Sequence, residues 1–274
     1  MLKTRESIPI LTIGEFNMIK VDQQKESYLD LFQHYPVFSL FIEYATLHTD
    51  YVLYVNRLDH PDLIMMHVPP AYLFAGKPDE KEGEAIQKIM GKGAWIVSPN
   101  HEFDLWLEKI YGSRMQSHPR VLFDEGALDV NQLKGKLKPL PQELSIVPIE
   151  EKHLIKGMIK EEIIDRFFEN TSFMTHGFGF ALVNEEGIVH GFALTNYPMG
   201  SSNEIEVSYR VGYESFQKYR LQGIGTTLVS TFLIEAIRRG YKPIWDAAND
   251  ISKHIAKKLG YIEKYHWMMH HIIE

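Results

Sequence analysis

The stretch Tyr219-Arg220-Leu221-Gln222-Gly223-Ile224-Gly225-Thr226-Thr227 carries the clearest chemistry in the chain. Two glycines one residue apart let a backbone approach a ligand closely and turn successive N–H groups toward it. Apolar residues then recur at 228, 229, 232, 233, 236 and 237, the spacing of a helix buried along one side. A helix start adds unpaired N–H donors and the positive end of the helix dipole. Arg220 supplies a fixed positive charge, and Thr226 and Thr227 can cap the helix or donate hydroxyls. The combination suits a pyrophosphate. A glycine turn that only starts a helix accounts for the two glycines as well. A dinucleotide fingerprint would need a third glycine where Leu228 stands, and a P-loop would need Gly-Lys-Ser/Thr, which is absent.

The elements around this loop follow a regular order. LSIVPI (144–149) reads as a strand, 151–169 as one or two helices, and FGFALVN (178–184) and IVHGFALTN (188–196) as a hairpin closed at Glu185-Glu186-Gly187. EIEVSYRVG (204–212) is the next strand and a helix covers 226–239, stopped by Gly240. PIWDA (243–247) is a short strand. A helix then runs from Asn249 or Asp250 to Leu259, with Gly260 as its stop, and strand-like segments fill 261–273. The order is β-α-α-β-β-β-α-β-α-β.

Upstream, DYVLYVN (50–56) and LIMMHVP (63–69) read as a hairpin, preceded by a short helix at 24–34. A helix near 79–90, a strand AWIVSP (94–99), a helix at 101–111 and a strand RVLFD (120–124) follow. Prolines 139, 141 and 148 mark a seam, because proline removes ladder donors and restricts its neighbours. The expected domains are therefore 1–143 and 144–274. No repeat at fixed spacing is visible.

Composition excludes several classes of function. The 274 residues amount to roughly 1.8 typical domains, with ordinary globular content. No cysteine is present, which removes disulfides, thiolate zinc sites, iron–sulfur clusters and cysteine nucleophiles. The net charge of −7, without a basic block, argues against nucleic acid or an anionic membrane as partner. The longest uncharged apolar stretch, Leu63 to Gly76, contains a Pro-Pro pair and is too short to span a bilayer. No signal-peptide core opens the chain, and a cytoplasmic location is expected. His266 and His270 share a strand-like segment without an acidic partner, and His101-Glu102 lacks a second histidine, so no metal site is expected. The four tryptophans, at 95, 106, 245 and 267, are expected in cores or interfaces.

Arg220-x-x-Gly223-x-Gly225, between a strand and a helix, resembles the acetyl-CoA loop of the GNAT acyltransferase superfamily. Asn249-x-x-Ser252 and Leu259-Gly260-Tyr261 match that superfamily's Asn-x-x-Ala/Ser and closing Leu-Gly-Phe/Tyr at the same spacing. The strings at 243–261 and 176–194 look closest to its zwittermicin-A-resistance type. The resemblance is specific over 144–274 and looser before it, where Trp95 and Arg120 stand in compatible places. It implies an α/β (α+β) protein whose C-terminal half is a GNAT fold, with a mixed, splayed central sheet flanked by helices. A smaller α/β N-terminal domain precedes it, itself read as a degenerate GNAT-like unit that shapes the acceptor pocket or a dimer contact.

The resemblance further implies an N-acetyltransferase that moves an acetyl group from acetyl-CoA to a primary amine of a small molecule, without a metal. The cofactor's pantetheine arm would pair with backbone around Tyr209 and Val211, and its pyrophosphate would sit on N–H groups from Gln222 to Thr226. Asn249 would bind the arm, although a helix N-cap explains the same residue locally. Glu206 would be the general base, with Glu204 on the same strand face in reserve. Both would equally suit a solvent-facing strand. Two features depart from the family pattern: Ala256 stands where many members have a tyrosine acid, and the connection GYESFQKY (212–219) is longer. Ala256 keeps open a silent acyl-CoA-binding or sensing protein, and a longer acyl-CoA donor is a third reading.

Overall fold

A run such as Leu63 to Val68 has almost no polar face, and a strand of that pattern must be covered on both sides. The computed structural model describes residues 18–21, 26–48, 51–69, 71–124, 126, 128–155, 159–160, 173–175, 177–195, 204–211 and 223–274. It divides the chain into two compact units, Met1–Pro119 with Trp267–Glu274, and Arg120–His266. The proline-rich stretch at 139–148 lies inside the second unit.

In the first unit, β1 (Ile19–Val21), β2 (Val52–Val55), β3 (Leu63–Val68) and β4 (Ala71–Gly76) form an antiparallel meander. Two helices, α1 (Glu26–Leu29) and α2 (Ser39–His48), fall between β1 and β2 in the chain. The expected hairpin is present, with Val52 opposite His67. The strand β4 was not foreseen, because the prolines after Val68 read as the end of a strand rather than as a turn between two. Helix α3 (Gly83–Met90) returns the chain so that β5 (Trp95–Val97) runs parallel to β4, with Ala71 opposite Trp95. Helix α4 (His101–Tyr111) and strand β6 (Met115–Asp124) follow. The core gathers Phe74, Ile86, Phe103, Trp106 and Leu107.

The second unit repeats this plan. After α5 (Val130–Lys134), the strands β7 (Leu144–Pro148), β8 (Gly179–Asn184), β9 (Val189–Thr195) and β10 (Glu204–Val211) form a second antiparallel meander. A short α6 (Glu151–Leu154) begins the helical segment expected over 151–169, most of which lies outside the described residues. Helix α7 (Ile224–Arg238) leads to β11 (Lys242–Ala247), parallel to β10, and α8 (Asp250–Leu259) leads to β12 (Ile262–Ile272). The unit boundaries fall inside the two long strands: within the second unit the end of β6 pairs with β11, Trp245 opposite Phe123, and within the first the end of β12 pairs with β5, His270 opposite Ile96. The degenerate second copy expected from the sequence is therefore present as topology. Sequence spacing hid it because the loops of the two copies differ in length.

Helix α7 is held by its apolar stripe. Leu228, Val229, Phe232, Leu233 and Ala236 are buried, and Phe178 stacks on Phe232 with ring centroids 5.0 Å apart. It starts two residues earlier than the apolar spacing alone implies, because Gly223 at φ 83° turns the chain directly into it. In its last turn Glu235 accepts hydrogen bonds from Arg238 at 2.8 and 2.9 Å and from Arg239 at 2.8 Å. These bonds, Arg238's foremost, hold the Glu235 carboxyl at about 2, below its ordinary 4.5. A carboxyl lowered on folding contributes stability above its unfolded value and loses it as pH falls through the folded one. The stability gap between the native protein and Glu235→Gln should be full at pH 7 and should shrink between pH 4.5 and about 2, read by urea unfolding across that range.

Candidate functional site

Strands β10 and β11 pair in parallel from Glu204 opposite Lys242 to Val207 opposite Trp245. There they part. From Ser208 to Val211, β10 keeps partners on β9, Ser208 opposite Leu194 and Val211 opposite Gly191. Asp246 and Ala247 keep their partners on the opposite edge of β11, Leu122 and Val121 of β6. Arg120 ties these two strands together: its Nε donates to Asp246 Oδ2 at 2.6 Å and its guanidinium Nη2 lies 2.5 Å from the same oxygen, with the Asp246 side chain 8% exposed. A short, largely buried pair of guanidinium and carboxylate holds this geometry through charge-assisted hydrogen bonds. The result is a stretch of β10 whose second edge has no strand partner among the described residues. Tyr209 and Val211 lie in that stretch, while Glu204 and Glu206 lie in the paired part just before it.

Helix α7 begins 13 positions after Val211 in the chain. Gly223, its N-cap, has no side chain to accept the helix's first N–H groups, and no acidic residue occupies the first turn. The N–H groups of Ile224, Gly225 and Thr226 thus have no partner within the helix, and an anion suits them. Thr227 is committed elsewhere: its hydroxyl donates to the Gly223 carbonyl at 3.2 Å and accepts the Lys138 N–H at 3.0 Å. Arg220, Leu221 and Gln222 lie outside the described residues, as does the connection 212–219.

The Lys138–Thr227 bond brings in a residue that sequence reasoning missed. The Lys138 side chain crosses Gly223, with Cδ 3.0 Å and Nζ 3.4 Å from where a Cβ on that glycine would stand. Lys138 makes no ion pair among the described residues, so its ammonium adds positive charge at the uncapped helix start. It sits in the proline-rich segment, 89 residues before Thr227, and no local pattern marks it.

The corresponding helix start in the first unit has the opposite character. Asp79 accepts the Lys81 N–H at 3.1 Å, and Glu80, Glu82 and Glu84 crowd the same turns. These carboxylates complement the dipole themselves and repel a phosphate. Of the two helix starts, only the second lacks carboxylates in its first turn.

At the far side of β11, Asn249 caps α8 by accepting the Ser252 N–H at 2.9 Å. Ser252 in turn accepts the Trp245 indole N–H at 2.8 Å. Asn249's oxygen is thus used by the helix, while its NH2 group has no partner among the described residues. Asn100 caps α4 in the same way, accepting the Phe103 N–H at 3.1 Å. Ala256 is fully buried in the core of the second unit, so no acid can act from that position. His266 and His270 both fall on β12, and no group of metal-ligating side chains occurs among the described residues. Trp106, Trp245 and Trp267 are buried, and Trp95 stacks on His271 at 4.2 Å. No helix among the described residues is long and apolar enough to cross a membrane.

Residues 41–270 match the family model described as GNAT acetyltransferase. The match extends well upstream of residue 144, where the sequence resemblance was strongest. Among solved structures, a GCN5-related N-acetyltransferase-like protein from Streptococcus suis is similar at a TM-score of 0.73 and 20% identity, covering 89% of this chain and 96% of that one. A protein from Drosophila melanogaster gives 0.63 and 12%, covering 93% and 98%. A tandem GNAT protein from the clavulanic acid biosynthesis pathway gives 0.57 and 12%, covering 93% and 98%. At these identities the likeness is one of fold, and the tandem arrangement agrees with the repeated plan found here. No curated protein matches the chain.

Gly223→Ala places a side chain in left-handed backbone against Lys138 and should cost about 1–2 kcal/mol, read by urea unfolding.

Proposed function

This chain belongs to the GNAT acetyltransferase family, and we propose that its second unit moves an acetyl group from acetyl-CoA to a primary amine of a small molecule. The reading rests on one observation above the others, the parting of β10 from β11, followed in the chain by an uncapped helix start. An extended arm bearing amides suits the free edge at Tyr209 and Val211, in the manner of an added strand. A pyrophosphate suits the N–H groups from Gln222 to Thr226, with Arg220, Leu221 and Lys138 around it. The Asn249 NH2 group and Ser252 complete the cofactor side.

The acceptor nitrogen attacks the thioester carbonyl; the N–C bond forms and the C–S bond breaks. Glu206, directly or through water, takes the ammonium proton, with Glu204 in reserve. A backbone N–H of β10 stabilises the developing oxyanion. With Ala256 buried, the thiolate departs without a tyrosine acid, which a thiol pKa near ~8.5 permits. The likeness of 243–261 to the zwittermicin-A-resistance type makes amine-bearing antibiotics the first acceptors to screen. The absent acid favours a second reading, a silent acyl-CoA-binding protein, and a longer acyl donor is a third.

Calorimetric titration with acetyl-CoA, and with CoA, ATP and NADH as controls, should show binding confined to the CoA species. The double replacement Gly223→Asp, Gly225→Asp should abolish it, and retained affinity would sink the loop assignment. Lys138→Ala should weaken binding, most at low salt. Glu206→Gln should keep the affinity and lower amine-dependent thiol release by about 10²–10⁴-fold. Binding without release for any amine would favour the silent reading, and competition by longer acyl-CoAs would favour the third.

A further inference from the structure

Ser117 on β6, His270 on β12 and Asp104 on α4 are remote in sequence and meet in the first unit. His270 Nδ1 lies 2.9 Å from Ser117 Oγ, and His270 Nε2 lies 2.9 Å from Asp104 Oδ1. The histidine is 2% exposed, whereas Ser117 is open to solvent. Asp104 stands in the first turn of α4, and its other oxygen, Oδ2, lies 3.8 Å from His101 Nδ1.

These facts fix the direction of the hydrogen bonds. An ionised carboxylate only accepts, so the imidazole proton sits on Nε2 and points to Asp104. Nδ1 then presents a lone pair, and the Ser117 hydroxyl donates to it. An exposed hydroxyl on a base that a third group orients is the arrangement of an activated nucleophile. Docking of α4 does not require it, since Phe103, Trp106 and Leu107 already anchor that helix in the core.

We propose that Ser117 is a nucleophile activated by His270 and oriented by Asp104, and that it accepts an acyl group from small activated esters reaching it from solvent. Ser117 Oγ bonds to the acyl carbon as its proton passes to His270 Nδ1. The bond from that carbon to the alcohol oxygen breaks, and the leaving alkoxide takes the proton from Nδ1. Water, deprotonated by the same nitrogen, then releases the acyl group as a carboxylic acid and restores the serine. This activity belongs to the first unit and is independent of acetyl-CoA.

The full chain is treated with a fluorophosphonate, which forms a P–O bond at an activated serine and expels fluoride, and separately with p-nitrophenyl acetate. Peptide mass spectrometry should place a single adduct on Ser117, and Ser117→Ala, an exchange at an exposed position, should abolish it. His270→Gln and Asp104→Asn should each slow both reactions by roughly 10²-fold or more. Thermal unfolding checks that the variants fold, and Asp104→Asn carries the test if the buried histidine cannot be replaced. No adduct, an adduct elsewhere, or labelling of Ser117 at an unchanged rate in Asp104→Asn would overturn the proposal.

Discussion

Backbone N–H and C=O groups have to be paired or solvated, and the site depends on where the second unit leaves them unpaired. Two parallel strands separate after Val207 and Trp245, while β11 stays paired with β6 on its other edge, where Arg120 meets Asp246. Only with that separation is the β10 edge from Ser208 to Val211 left without a second strand partner among the described residues. Gly223 then supplies the complementary end, a helix start that its own side chains do not satisfy. The edge offers both donors and acceptors, whereas the helix start offers donors alone.

The two units show how one plan is opened or closed by a few residues. Both have a meander, a returning helix, a parallel strand and an asparagine-capped second helix. In one, carboxylates from Asp79 to Glu84 fill the first helix start; in the other, glycines and Lys138 leave it positive and accessible. The pairing of β6 with β11 and of β12 with β5 means that neither sheet is complete from its own half of the sequence. A cut at the proline seam near 144 would separate β6 from the strand that it pairs with, β11, although each half reads as a domain.

Much of the second unit was legible because its signals are local. The period of Leu228 to Ala236, the Asn249 cap and the Gly260 stop each act within a few residues, and each element lies close to its expected span. The same reading did not decide between the two uses of Asn249. The structure shows the cap in place, and it leaves the NH2 group for a further partner. Thr227 illustrates the opposite case. Its hydroxyl suited a ligand on sequence grounds, yet it is engaged by Lys138 and Gly223.

The sequence by itself determined the identity of the elements, the glycine-rich helix start and the absence of thiol chemistry, because these follow from residue type and short spacing. Tertiary structure alone decided the pairing of β6 with β11 and of β12 with β5, the place of Lys138 over Gly223 and the meeting of Ser117, His270 and Asp104. The physical reason is range. Side-chain periodicity is imposed by the next turn or the next pleat, whereas strand partners and cross-chain hydrogen bonds join residues more than 80 positions apart and leave no local imprint.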